Sequence, residues 1–172
     1  MRELHIVNAA ELADAYAQAE YAVVLDGDAL LIHVGEPARD VEAYWPAARY
    51  GFITAWNPAS IPHADAANES ANAALVARLD AIGASRQPAY AFDKEGLWRE
   101  EGWLVGDIEE AMLDLIAREF SQAGVLAWSF GEPVRLRMQM PRPPGGAMAG
   151  DCIDWAGAGP PPLARPRPGL IA

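Results

Sequence analysis

The sequence has little of what would mark several protein classes. Cys152 is the only cysteine among 172 residues, which excludes an internal disulfide framework and a zinc site built from several cysteines. The sequence contains no apolar run of about 20 residues, the length that crosses a bilayer. The start Met1–His5 lacks the charged and apolar regions of a signal peptide. Because a lone thiol suits a reducing compartment, we expect a soluble cytoplasmic protein.

Motifs for common cofactors are also missing. The chain has no Walker loop, no dinucleotide-binding glycine pattern and no Gly-x-Ser-x-Gly elbow. The three histidines, His5, His33 and His63, lie far apart in the sequence. We therefore expect no cofactor and no metal site.

Basic residues are scarce, and lysine is nearly absent. The chain carries 24 acidic and 13 basic residues, a net charge of −11, and Lys94 is its only lysine. Residues 139–172 contain three arginines and two aspartates, so residues 1–138 carry −12. An acidic body repels phosphate groups, and we expect no binding to nucleic acid or to anionic membrane surfaces.

The order of predicted elements indicates the fold. From residue 51, periodicity and turn residues predict strand, helix, strand, strand, helix, strand, and then one extra strand. The two helices are predicted to begin at Asp65 and, with a capping box, at Asp107–Glu110. This is the order of ferredoxin-like proteins. A capped helix from Asn8 and a hairpin at Asp26-Gly27 precede it.

We predict one α/β (α+β) domain over residues 1–138. It is a ferredoxin-like two-layer sandwich, with its core at about 51–138 and an added N-terminal helix and β-hairpin. Residues 139–172 hold eight of the 14 prolines and six of the 15 glycines, and we predict a flexible Pro/Gly-rich tail. Only Asp151–Trp155 looks suited to docking. A chain ending at Met140 is then expected to keep nearly all its stability.

The densest polar sequence, Thr54–Ser60, follows the first core strand. In the ferredoxin-like order this strand is central and antiparallel to both neighbours, so its end meets their beginnings near Trp98 and Gln122. Glu100 shares a strand face with Trp98, and a half-buried carboxylate there has the properties of a general base. The candidate ligand-binding residues are Thr54, Trp56, Asn57, Ser60, Asn68, Trp98, Glu100 and Gln122, and Glu100 is the candidate catalytic group.

Three separated motifs resemble one protein family. They are Phe52–Pro58 with Ser60 and Asn68, then Trp98–Val105, then Phe120–Gln122 before an apolar strand. In this order, and over roughly residues 12–138, they resemble the bacterial domain of unknown function family 3293. The chain departs from the family pattern at Glu101, where proline is frequent, and at Ala123, where asparagine is frequent. The family name implies a single domain and no particular activity.

Each candidate residue also has a purely structural interpretation. Asparagine before proline commonly forms a turn, and Trp56 and Trp98 suit a core. Asn68 suits the first turn of a helix. For Glu100 the alternative is an inert ion pair with Arg49 or Arg99.

Three functions stay open. The first is a small soluble binding module that recognises a small ligand or a protein partner through the Thr54–Ser60 sheet edge. The second is a small hydrolase-type or transferase-type enzyme with Glu100 as general base, while Thr54, Asn57 and Gln122 orient the substrate. The third is a structural or assembly protein, in which an exposed sheet edge pairs with a second copy to form a homodimer. An enzyme requires a concave pocket with Glu100 directed into it.

Overall fold

A computed structural model describes residues 8–144 and 152–157. These residues form a mixed α+β structure, which confirms the predicted class. No helix in this part of the chain is long and apolar enough to span a membrane. The helices are α1 (Ala9–Gln18), α2 (Arg39–Tyr44), α3 (Asp65–Ala81) and α4 (Glu110–Glu119), and the strands are β1 (Glu20–Leu25), β2 (Asp28–Ile32), β3 (Arg49–Thr54), β4 (Ser85–Phe92), β5 (Arg99–Gly106), β6 (Gly124–Ser129), β7 (Arg135–Met138) and β8 (Ile153–Trp155).

The strands form a single sheet in the order β2-β1-β4-β5-β3-β6-β7-β8. The central strand β3 lies between β5 and β6 and is antiparallel to both. All other neighbours are antiparallel too, except that β7 and β8 run parallel. The end of β3 therefore lies beside the beginnings of β5 and β6.

Helices cover both faces of this sheet. Alternation along β3 places Phe52 in a core with α1 and α2, and Ile53 in a second core with α3 and α4. A two-layer sandwich has helices on one face only, so that prediction is not confirmed. The N-terminal helix is an integral layer of the fold, because Leu12 and Ala13 are buried against the sheet.

The sheet curls around the face that carries α1. The segment after β2, at one end of the sheet, is bonded to the segment before β7, near the other end. Gly35 N donates to Val134 O at 2.8 Å, and Val134 N donates to Glu36 O at 3.0 Å. This curl encloses the core under α1 and makes that face concave.

Local sequence signals account for several element ends. Asn8 caps α1 in a reciprocal capping box with Glu11, as predicted. The turn between β1 and β2 uses Asp26 at φ 49° and Gly27 at φ 90°, the left-handed conformations that this residue pair tolerates. The capping box predicted at Asp107 is wrong, because its carboxylate accepts from Ala48 N at 2.7 Å and α4 begins at Glu110 without a side-chain cap.

Part of the predicted tail is docked. β8 pairs with β7, and the Asp154 carboxylate receives two hydrogen bonds of 2.7 Å from Arg135. Ile153 and Trp155 pack against the core under α1. The prediction of a flexible tail lies, for residues 145–151 and 158–172, outside the described residues.

This docking reverses the expectation for truncation. Ending the chain at Met140 removes β8 and its half-buried side chains, and we expect the free energy of unfolding to fall by about 2–4 kcal/mol. A chain ending at Gly157 keeps β8 and is the matched control. Thermal melts should separate the two chains, and superimposed melting curves would show that β8 adds no stability.

Candidate functional site

Three chain segments meet where β3 ends. Thr54 closes β3, Glu100 is the second residue of β5, and Gln122 lies two residues before β6. Thr54 pairs with Gly102, where a Cβ would lie only 2.7 Å from the carbonyl oxygen of Ile53. A glycine at this position therefore lets β3 and β5 approach closely beside the site.

Asn57 is the hub of the polar network. Its Nδ2 donates to Oε1 of Glu100 at 2.7 Å. Its Oδ1 accepts from Asn68 Nδ2 at 3.0 Å and from His63 N at 2.9 Å, and its own N–H donates to Asn68 Oδ1 at 2.9 Å. Asn57 therefore connects three elements: its own loop, strand β5 and the first turn of α3. A residue that only formed a turn would not make these contacts.

Thr54, Trp56 and Gln122 fix the backbone around this hub. Thr54 Oγ1 donates to the carbonyl of Glu101 at 2.6 Å and accepts from Trp56 N at 3.0 Å. Gln122 Nε2 donates to the carbonyl of Trp56 at 3.1 Å. Trp56 thus enters the network through its backbone.

Glu100 is a buried carboxyl without a cationic partner in the described part of the chain. Only 7% of the residue is exposed. Burial raises its pKa to about 7, against the opposing hydrogen bonds of Asn57 and Trp98. The alternative of an inert ion pair is wrong, because Arg99 binds Glu101 at 2.6 Å and Arg49 binds Glu109.

Two tyrosines complete the site, and neither was among the sequence candidates. The Tyr16 hydroxyl on α1 is hydrogen-bonded to Ser60 Oγ, and the Tyr21 hydroxyl donates to Tyr16 O at 2.7 Å. Burial raises the pKa of Tyr16 to about 12, with Ser60 opposing and the nearby Glu100 adding to the rise. The pKa of Tyr21 is also raised by burial. Both lie within residues 12–138, over which the chain resembles the family, and no motif of the sequence analysis pointed to them.

Two cavities meet at Glu100. The outer one is a cleft of about 590 Å³ between α1, the Asn57–Pro62 loop and the β4–β5 hairpin. The inner one is a chamber of about 20 Å³, enough for one water molecule. Glu100, Tyr16 and Trp98 line both cavities, and Thr54 and Gln122 line the chamber.

Left-handed backbone is concentrated around the site. Asn57 has φ 45° and Ser60 has φ 60°, and Ser121, beside Gln122, has φ 53°. Residues other than glycine pay about 1–2 kcal/mol for this conformation. Such strain is often found at functional sites, where the surrounding structure holds it in place.

Metal chemistry gains no support from the described residues. They contain no group of three or more His, Cys, Asp or Glu side chains placed to hold a metal ion. His33 lies 3.6 Å from Glu20, His63 contributes its backbone to the network, and His5 lies outside the described residues.

Substitution of Asn57 tests the hub. Asn57→Gly removes three side-chain hydrogen bonds but relieves the left-handed strain, whereas Asn57→Ala removes the same bonds and keeps the strain. We expect both variants to have a lower free energy of unfolding in urea than the wild type. The value for Asn57→Ala should be about 1 kcal/mol lower than that for Asn57→Gly. Both should raise the pKa of Glu100, since the Asn57 bond opposes that rise. Wild-type stability in Asn57→Ala would contradict a hub at Asn57.

Comparison with known proteins finds one family model that matches the segment carrying this site. Residues 53–125 match the family model described as Protein of unknown function (DUF3293). No curated protein and no solved structure matches the chain significantly. The matched segment contains all eight candidate residues and leaves out Tyr16 and Tyr21. The resemblance to the domain of unknown function family 3293 is thereby confirmed over residues 53–125.

Proposed function

We propose that this protein is a binding module that takes a small ligand in the cleft at the Thr54–Ser60 sheet edge, with Glu100 and Asn57 at the base of the cleft. One observation carries the proposal: a buried carboxyl, bonded to an amide and to no cation in the described part of the chain, opens into a cavity of about 590 Å³. Small-molecule sites are typically clefts of this size with a few convergent polar groups. A protein partner suits such an enclosed carboxyl less well than a small molecule.

The balance of stability supports the same proposal. A carboxyl buried without a cation destabilises a fold at neutral pH, so folding alone does not favour Glu100. Residues that oppose stability are frequent at functional sites. The strained Asn57 and Ser60, which both line the cleft, fit this pattern.

A ferredoxin-like unit is proposed as the scaffold of the site. The partial order β4-β5-β3-β6, with α3 and α4 packed on one face, supports it. In this arrangement α1 covers the opposite face and forms one wall of the cleft, while β1 and β2 extend the sheet beside β4.

A thermal-shift screen against a metabolite library tests the binding proposal. A compound at about 100 times its Kd adds about 2.7 kcal/mol, and we expect Tm to rise by about 5–10 °C. Ala15→Trp fills the cleft from α1 and should abolish the shift, while Ala73→Trp, at an exposed position of α3, serves as control. If no compound raises the Tm of the wild type by more than it raises the Tm of Ala15→Trp, the cleft is not a ligand site.

An enzyme is the second candidate, and it is favoured by the inner chamber. Glu100 has a pKa of about 7 and borders a space for one water molecule. A general base is most efficient with a pKa near the operating pH, and in a hydrolysis it must reach the water that it deprotonates. A panel of chromogenic ester, phosphate and glycoside substrates should then show a rate that rises through pH 7 and is lost in Glu100→Gln. An unchanged rate in that variant would remove the enzyme hypothesis.

A further inference from the structure

We infer that the ligand of this cleft is a small organic cation, a protonated amine on an apolar or aromatic body, whose ammonium group binds the Glu100 carboxylate. The inference rests on the proposed function and adds the chemical class of the ligand. It is carried by three features of the cleft: its charges, its aromatic walls and the acceptor capacity of Glu100.

The charges that line the cleft are mostly negative. The lining contains three acidic residues, Asp93, Glu95 and Glu100, and one basic residue, Lys94. The neighbouring Arg99 turns away, because its guanidinium binds Glu101 and lies 3.7 Å from the centre of the Tyr90 ring. A chain with net charge −11 also raises the local concentration of cations. An anionic ligand would have to approach Glu100 against this field.

The walls of the cleft suit an apolar body that carries a cation. Tyr16 and Trp98 line the cleft together with Glu100, and Leu12, Ala15 and Pro62 add apolar surface to it. Aromatic faces attract ammonium groups, most strongly where water is excluded. A purely polar cation would leave this apolar surface unused.

Glu100 retains the capacity to accept from such a ligand. Asn57 occupies one position on Oε1 and Trp98 contributes a second hydrogen bond, whereas an ionised carboxylate offers about four acceptor sites. The amide of Asn57 is itself held by Asn68, so the carboxylate is fixed before a ligand arrives. A neutral hydroxyl would make one hydrogen bond there but would lack the attraction between opposite charges.

Three matched probes test the charge requirement at pH 8: phenethylamine, the neutral 2-phenylethanol and the anionic 3-phenylpropanoate. Binding is followed by NMR through the indole N–H of Trp98, assigned with Trp98→Phe. We expect phenethylamine to bind at least about tenfold more tightly than the alcohol, a gain typical of one charge-assisted hydrogen bond. The propanoate should not bind. In Glu100→Gln, the amine and the alcohol should bind equally.

The outcomes separate the ligand class from the binding proposal. If the alcohol or the propanoate perturbs Trp98 as strongly as the amine, the cation is overturned and the cleft remains a binding site. The proposed cationic ligand is equally overturned if phenethylamine binds the wild type and Glu100→Gln with the same affinity. If none of the probes perturbs Trp98, the cation fails, and the library screen with Ala15→Trp then decides whether the cleft binds anything.

Discussion

Glu100→Gln should raise the stability of this protein at pH 8. The folded pKa of about 7 exceeds the ordinary value of 4.5, so the carboxyl destabilises the fold increasingly as the pH rises from 4.5 to 7, and fully above 7. The shift corresponds to about 3 kcal/mol. Glutamine keeps the shape and the acceptor for Asn57 while it removes the charge. We expect Tm to rise by about 6–12 °C at pH 8 and to change little at pH 4.

Glu101→Gln is the matched control for this experiment. Glu101 is the next residue along β5, lies half exposed and pairs with Arg99 at the surface. Its substitution should change stability by less than about 0.5 kcal/mol at either pH. Clear destabilisation by Glu100→Gln at pH 8 would show that the carboxylate is structural and would remove the enzyme hypothesis as well.

The opposite sign is expected at Asp114, the buried carboxylate on α4. Arg137 donates to its two oxygens at 2.7 and 2.8 Å, and Gln139 donates at 2.7 Å. Burial alone would raise the pKa of Asp114, but these donors offset it and hold the pKa below its ordinary value. Asp114→Asn leaves Arg137 without its main partner, and we expect a loss of about 3 kcal/mol in urea unfolding.

Asp154→Asn controls for the geometry of the Asp114 pair. Asp154 receives the same two-pronged bond from Arg135, but both side chains are about one-third exposed. We expect a loss of no more than about 1 kcal/mol. The Asp114 carboxylate stabilises the fold above pH 4, and this stabilisation is lost as the pH falls through the lowered pKa of folded Asp114. The free energies of unfolding of the two aspartate variants should therefore converge in acid. Equal losses of stability in Asp114→Asn and Asp154→Asn at pH 7 would contradict the view that burial makes the Asp114 pair the stronger one.

Sequence reasoning succeeded where the cause is local. The Asn8 cap and the Asp26-Gly27 turn depend on residues a few positions apart, and the structure has both. The meeting of Thr54, Glu100 and Gln122 is not local, but it follows from the predicted strand order around β3. Whether these residues bind a ligand stays a prediction.

The remaining features depend on contacts that no short pattern encodes. The curl of the sheet brings α1 over its concave face, which places Tyr16 beside Ser60, 44 positions away. Nothing in the local sequence around Tyr16 specifies that approach. Asp107 resembles a helix cap, yet it binds the backbone of Ala48, 59 positions away, because a tertiary partner competes successfully with the local one.

A pH titration of the Glu100 side chain shows directly whether the carboxyl at the base of the cleft is buried and unpaired. The carboxyl carbon resonance, assigned by comparison with Glu100→Gln, reports the protonation of this one group. We expect a pKa of about 7 in the free protein, because the carboxyl is buried and lacks a cationic partner in the described part of the chain. A pKa at or below 4.5 would show a solvated or ion-paired carboxylate and would contradict the site described at the base of the cleft.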